Sequence, residues 1–131
     1  MPPVNKTTFV PQLIIPHGTM ELDFYKHAFN ATVSRIFAND DKSIHVAEMF
    51  IDGAMFHFHE ESASNRNFSP AKHNGVTTII GLMVSDVDTV MQQAIAAGAK
   101  ERSPATSYDY GFRQGHIIDP LGHEWLIEMV I

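Results

Sequence analysis

The 131-residue chain predicts an α+β domain made of two consecutive β-α-β-β-β modules. Three observations predict it: one order of strand-like and helix-like segments occurs twice, punctuating residues recur at a near-constant offset, and a polar connector separates the copies. Gly122 of "DPLG" stands 69 residues after Gly53 of "IDGA", and the helix stop Gly98-Ala99 stands 68 after Asn30-Ala31. The stretch "ESASNRNFSPAKHNG", residues 61 to 75, carries Pro70 and ends in Asn-Gly, so it reads as a connector. A single domain follows, with module one at about 7–60 and module two at about 76–131.

In module one, "FVPQLIIPH" has a strand's apolar content. "TMELDFYKHAFNA" spaces Met20, Phe24 and Ala28 as one helix face, beside Tyr25 and Phe29. Thr19 is the expected N-cap and Asn30 the expected left-handed stop. Strands are expected at roughly 32–38, 43–51 and 54–59. In module two, "TTIIGLMVS" is a strand, and "DVDTVMQQAIAAGA" is a helix turning Val87, Met91, Ala94 and Ile95 inward. Asp86 caps its start and Gly98 its end. A short strand near 100–103, "FRQGHII" and "HEWLIEMVI" complete the module, the last two joined by a turn in which Asp119 accepts from the backbone and Pro120 and Gly122 fix the reversal.

Composition excludes several function classes. No apolar run approaches the roughly 20 residues needed to span a bilayer, and "MPPVNKTTF" lacks the basic-then-apolar pattern of a leader, so a cytoplasmic protein is expected. A net charge of -6 without a run of Lys or Arg argues against a nucleic-acid surface and suits a cationic ligand. Zero cysteines remove disulfides and thiolate metal sites, leaving His, Asp, Glu and Gln as donors. The eight histidines are the chemically notable residues.

The stretch "GAMFHFHEE" places His57 and His59 on one strand face with Met55, and Phe56 and Phe58 on the other. An apolar strand face lies on helices, so the imidazoles look away from the helix layer. The same parity pairs Trp125 and Ile127 with the helices, and Leu126 and Glu128 with the histidines.

The repeated plan, together with "FYKHAF", "HVAEMFIDG", "VSDVD" and "YGFRQGHIIDPLGHEW", resembles the vicinal oxygen chelate superfamily. That group includes glyoxalase I, fosfomycin- and bleomycin-resistance proteins and extradiol dioxygenases; the match is similar most of all to its PhnB-like branch. The resemblance implies mixed sheets curled into a cup with helices outside, the glyoxalase/bleomycin resistance fold, usually in a homodimer, binding a small organic molecule. It places divalent-metal ligands at the first and last strand of each module, which here read Val10, His57, Ile79 and Leu126. Three of these four carry no donor, so the usual site is not expected to hold a metal. A displaced site two residues along the same faces, from His57, His59 and Glu128, stays open.

The cup wall is expected to present Gln12, His45, His57, His59, His116 and Glu128 to a ligand. His45 is read as sharing its face with Ala47 and Met49, and Glu48 as lying opposite with Val46 and Phe50, paired to a backbone or basic group. The segment "SPATSYDYGFRQG" is expected to form a lip, with Tyr110 offering flat apolar surface and Arg113 either a bidentate donor to the ligand or a structural ion pair. Three functions follow: metal-free binding or sequestration without a cofactor; an enzyme in which His57, His59 or His116 is the general acid or base; and a metal-dependent lyase or dioxygenase using the displaced ligands.

Overall fold

Alternating apolar residues in both modules produce matching sheets in the computed structural model, which describes residues 6–131; the first five residues, part of the expected leaderless N-terminus, lie outside the described residues. Module one contains β1 (Gln12–Ile15), α1 (Asp23–Phe29), β2 (Thr32–Ala38), β3 (Ile44–Ile51) and β4 (Ala54–Glu60). A short α2 (Pro70–His73) lies in the connector, and module two contains β5 (Ile79–Met83), α3 (Val87–Ala96), β6 (Lys100–Ser107), β7 (Phe112–Ile118) and β8 (Glu124–Val130). The sheets run β1-β4-β3-β2 and β5-β8-β7-β6. Within each, the first and last strands are parallel neighbours and the other pairs are antiparallel. Among the described residues no helix is long and apolar enough to cross a membrane.

Each sheet lays one face on a shared core and leaves the other open. Phe56 and Phe58 of β4 and Trp125 and Ile127 of β8 are buried, with Phe58 and Ile127 fully so, each contributing about 1.5–3 kcal/mol or more of apolar burial. Tyr25 and Phe29 of α1 reach the Trp125 ring at 6.1 and 4.7 Å between centroids, so one aromatic cluster spans both modules. In module two, Gly115 lets α3 approach β7: a Cβ there would stand 2.7 Å from the Met91 sulfur.

Asn30 ends α1 at φ 56, and the Asp86 carboxylate accepts from the Thr89 backbone N–H, both as the sequence indicates. Thr19 does not cap α1. The helix begins a turn later, after Leu22, and the Thr19 hydroxyl donates instead to the Pro16 carbonyl at 2.8 Å. Met20 therefore falls outside the helix and is exposed, and Ile95 is also largely exposed on α3. The strand expected near 100–103 runs on to Ser107, with irregular register around Ser103 and Pro104 at the sheet edge, the place where a strand tolerates proline. Only a tight turn, closed by Gly111 N–H to the Tyr108 carbonyl at 3.2 Å, remains of the expected lip.

Two carboxylates tie distant segments together. Asp119, buried in the β7–β8 turn, accepts from the backbone N–H groups of Leu121 and His123 at 2.9 and 3.0 Å through one oxygen. Its other oxygen accepts from the Tyr25 hydroxyl at 2.6 Å and the Trp125 indole at 3.0 Å. Burial, followed by the neighbouring Asp119 charge, raises the Tyr25 pKa well above that of an ordinary phenol, so the hydroxyl stays a donor. At the end of β4, Glu60 accepts from His17 and His45, both at 2.7 Å, and from Asn39 at 3.1 Å. These hydrogen bonds, His17 first, lower its pKa from 4.5 to about 2.

Asp119→Asn replaces an acceptor shared by four donors with a group that must turn an N–H₂ toward two of them. It should cost about 2–4 kcal/mol in urea unfolding, and Tyr25→Phe about 1 kcal/mol; an Asp119→Asn variant as stable as the parent would show that the carboxylate holds nothing. Because the folded-state pKa of Glu60 lies below its unfolded value, its stabilisation is complete above pH 4.5 and is lost as pH falls toward about 2. Glu60→Gln should thus melt lower at neutral pH and lose less further stability across that acidic window. Melting curves that stay parallel from pH 7 to pH 2 would refute the linkage.

Candidate functional site on the open sheet faces

Register determines which side chains share the open face of the first sheet. His57 of β4 sits directly between Gln12 of β1 and Glu48 of β3, and His59 sits between Ile14 and Val46. The Gln12 amide Nε2 lies 2.9 Å from His57 Nδ1, and His57 Nε2 lies 3.1 Å from Glu48 Oε2. With the amide donating, Nδ1 is the acceptor and Nε2–H donates to the carboxylate, which defines the tautomer. Glu48 also accepts from the Ser34 hydroxyl at 2.8 Å and has Arg35 at 3.7 Å. The Ser34 bond, then those with His57 and Arg35, lowers the Glu48 pKa against the opposing effect of desolvation. A polar row thus crosses the sheet from β1 to β2.

This corrects the expected parity of β3. Ala47 and Met49 are fully buried in the core, whereas Glu48 faces the open side opposite His57. His45 does not share a ligand-facing surface with Ala47 and Met49; it is exposed near the strand's start, bound to Glu60, with its ring 5.0 Å from that of His59. Glu48 is the site residue that sequence reasoning missed. The signal is weak: Val46 and Phe50 are as apolar as Ala47 and Met49, so only the charge of Glu48 itself marks its face as the open one. Its expected basic partner exists, but on the open face.

The second sheet carries a different row at the same positions. Gly81, Leu126 and His116 lie side by side where Gln12, His57 and Glu48 lie in the first. His116 Nε2 bonds Glu124 Oε1 at 2.9 Å, and Glu124 also accepts from Arg102 at 3.0 Å. One step along, Glu128 accepts from Gln114 Nε2 at 2.8 Å, and Gln114 accepts from the Tyr110 hydroxyl. Glu128 Oε2 lies over Gly81, within 2.8 Å of where a Cβ would stand, so the glycine makes room for the carboxylate. Tyr110 stacks on Tyr108 at 5.2 Å and is exposed at the rim. Arg113 takes the structural alternative, binding both Asp88 oxygens of α3 at 3.0 and 2.8 Å and the Ser107 hydroxyl at 3.0 Å.

These residues do not fit the divalent ion that the fold suggests. Val10, Ile79 and Leu126 offer no donor, and both His57 nitrogens are engaged. His59 Nδ1–H donates to the Glu60 carbonyl at 2.6 Å, and Glu128 is held by Gln114 on the other sheet. Among the described residues, no three His, Asp or Glu side chains gather as a metal site requires.

Comparison with known proteins agrees with this architecture. The chain is 31% identical over 119 residues to an uncharacterised protein of Mycobacterium bovis, covering 88% of this chain and 78% of that one. It resembles the crystal structure of an Arabidopsis thaliana gene product at 25% identity and TM-score 0.68, covering 93% and 98% of the two chains. It also resembles the fosfomycin resistance protein FosX of Mesorhizobium loti, at 12% identity and TM-score 0.67 over 96% and 93%. At that identity the likeness concerns the fold. With residues 12–127 matching the family's sequence model, the chain belongs to the Glyoxalase/Bleomycin resistance protein/Dioxygenase superfamily.

Proposed function

We propose that this protein, a PhnB-like member of its superfamily, binds a small organic molecule on the open face of its first sheet, without a divalent ion at the family's usual position. The Gln12–His57–Glu48 row carries this reading: three polar side chains are aligned on a sheet face that also presents Ile14 and His59 and is not used to build the core. Pre-arranged polar groups beside apolar surface are what a small-molecule site needs. A cytoplasmic homodimer belongs to the same reading, since β2 is a sheet edge bearing exposed Ile36 and Phe37, and unpaired apolar edges favour a partner.

One observation favours a second reading, an acid-base enzyme. The Glu60 carbonyl fixes the proton of His59 on Nδ1, and Nε2 has no protein partner among the described residues. That nitrogen is free to take a proton from a bound substrate.

The test is ligand affinity against pH in chelator-treated protein, using hits from a thermal-shift screen of small organic molecules. The Ser34 hydrogen bond, first among several causes, lowers the Glu48 pKa from its ordinary value, so Glu48 is not the source of a change in affinity across pH 5–8, and comparison with the double variant assigns any such change. The parent should show such a change, and the double variant His57→Gln, His59→Gln should bind with a flattened profile while still folding, because Phe56 and Phe58 keep the core side of β4. Hits that need added metal, or a profile unaltered by the double substitution, would count against the site. Sedimentation at micromolar concentration should give about twice 14.6 kDa; a monomer would rule out the dimer.

A further inference from the structure

A groove of about 230 Å³ lies where the connector passes β1. Gln12 and Ile14 of β1 form one wall, Arg66, Phe68 and His73 of the connector another, and Thr77, Thr78 and His123 the remainder. We propose that this groove binds the anionic head of a small organic acid, a carboxylate or phosphate carried on an apolar body. The proposal rests on the open-face reading, because Gln12 and Ile14 belong to both surfaces.

The groove's chemistry is opposite to that of the chain as a whole. The protein carries a net charge of -6, yet no Asp or Glu lines this groove. The connector's own acid, Glu61, is buried and already accepts from the Ser69 backbone N–H at 2.9 Å, with Lys72 at 3.6 Å. Arg66 has no carboxylate within ion-pair distance among the described residues, unlike Arg35, Arg102 and Arg113. It is also held at φ 61, a left-handed backbone that a non-glycine residue adopts only when its surroundings require it.

Three further side chains of the lining, His73, Thr77 and Thr78, can donate, and no hydrogen bond within the described residues engages the His73 ring or the two hydroxyls. The His123 Nε2–H is already spent on the Ile14 carbonyl at 2.8 Å, so the remaining Nδ1 of the neutral ring is an acceptor and adds no donor to the groove. A guanidinium and several further donors with no acceptor of their own suit a carboxylate or phosphate, which offers only acceptors and accepts a bidentate Arg. Phe68, Pro70 and Ile14 supply apolar wall for the rest of such a molecule. The volume lies below the roughly 300–1,000 Å³ of sites for drug-sized ligands, which limits the body to about one ring.

Four one-ring probes test the assignment by amide NMR titration of the full chain: benzoate, phenyl phosphate, neutral benzyl alcohol and cationic benzamidine. Benzoate or phenyl phosphate should shift the amides of residues 66–78, with the stronger of the two identifying the head group, and benzamidine should not. Arg66→Gln should weaken that binding about tenfold, the loss expected for a charge-assisted bidentate contact, and Arg66→Lys should restore part of it. Benzamidine or benzyl alcohol binding the groove as well as the acids would overturn the proposal, as would an Arg66→Gln variant that folds and binds the acids unchanged, or no binding of either acid up to about 10 mM. Probes that move only residues around His57 and His59, independently of Arg66, would refute the groove while leaving the open-face site standing.

Discussion

The molecule depends on one carboxylate. Asp119 sits in the last turn of module two, and its two oxygens take four donors: two backbone N–H groups that shape the turn, the Trp125 indole of β8, and the Tyr25 hydroxyl of α1 in module one. A buried charge is expensive unless fully hydrogen-bonded, and here each bond also fixes a structural relation. The turn positions β8 against β7, Trp125 is oriented into the aromatic cluster, and the Tyr25 bond joins residues 94 apart in sequence. The modules share no long strand ladder. Their relative placement therefore rests on the packing of α1 against α3, on this network with the rings around it, and on the His123–Ile14 bond.

Given that placement, the two modules repeat a backbone but not a surface. The core-facing residues are equivalent: Phe56 and Phe58 answer Trp125 and Ile127, and all four are buried. The open-facing residues diverge, with Gln12, His57 and Glu48 in one sheet against Gly81, Leu126 and His116 in the other. Packing density constrains the first set, since a core responds to even one methylene. Nothing in the fold constrains the second, so it is free to differ. A site that would need matching donors from both modules finds none at Val10, Ile79 and Leu126, and both nitrogens of His57 are bonded to Gln12 and Glu48.

The parts legible in the sequence are those set by period and by turn chemistry. The β4 alternation yields the correct faces because Phe56 and Phe58 are unambiguous, and Asn30, Asp86 and Gly98 mark real helix boundaries. The β3 face is misleading because the strand begins irregularly: the register with β2 shifts between Phe37 and Ala38, so His45 at its start is a poor guide to the residues that follow. The start of α1 is misleading because Thr19 is a good capping residue in the wrong place, its hydroxyl already engaged by Pro16. Tertiary partners such as Tyr25 for Asp119 leave no local signature; α2 does leave one, Pro70 in its first turn and Asn74 at its left-handed C-cap, inside a stretch whose polarity reads as a loop.

Net charge is the least informative sequence feature for the site. A balance of -6 suggests a cationic ligand when the charge is spread evenly, but acids in a folded chain are engaged locally. Glu60 is committed to His17 and His45, Glu61 to the connector, Glu124 to Arg102 and His116, and Asp88 to Arg113. Where the partner is Arg or Lys the charge is cancelled over a few ångströms, within the distance at which salt screens what is left; where it is an imidazole or a backbone N–H the acceptor oxygens are occupied. What remains after these pairings differs between the two sides of β1. Toward β3 it is His57 held by a Glu48 that Ser34 and Arg35 also engage; toward the connector it is Arg66 with no carboxylate within ion-pair distance among the described residues. Such local remainders, rather than the protein's overall sign, set the charge that each surface presents.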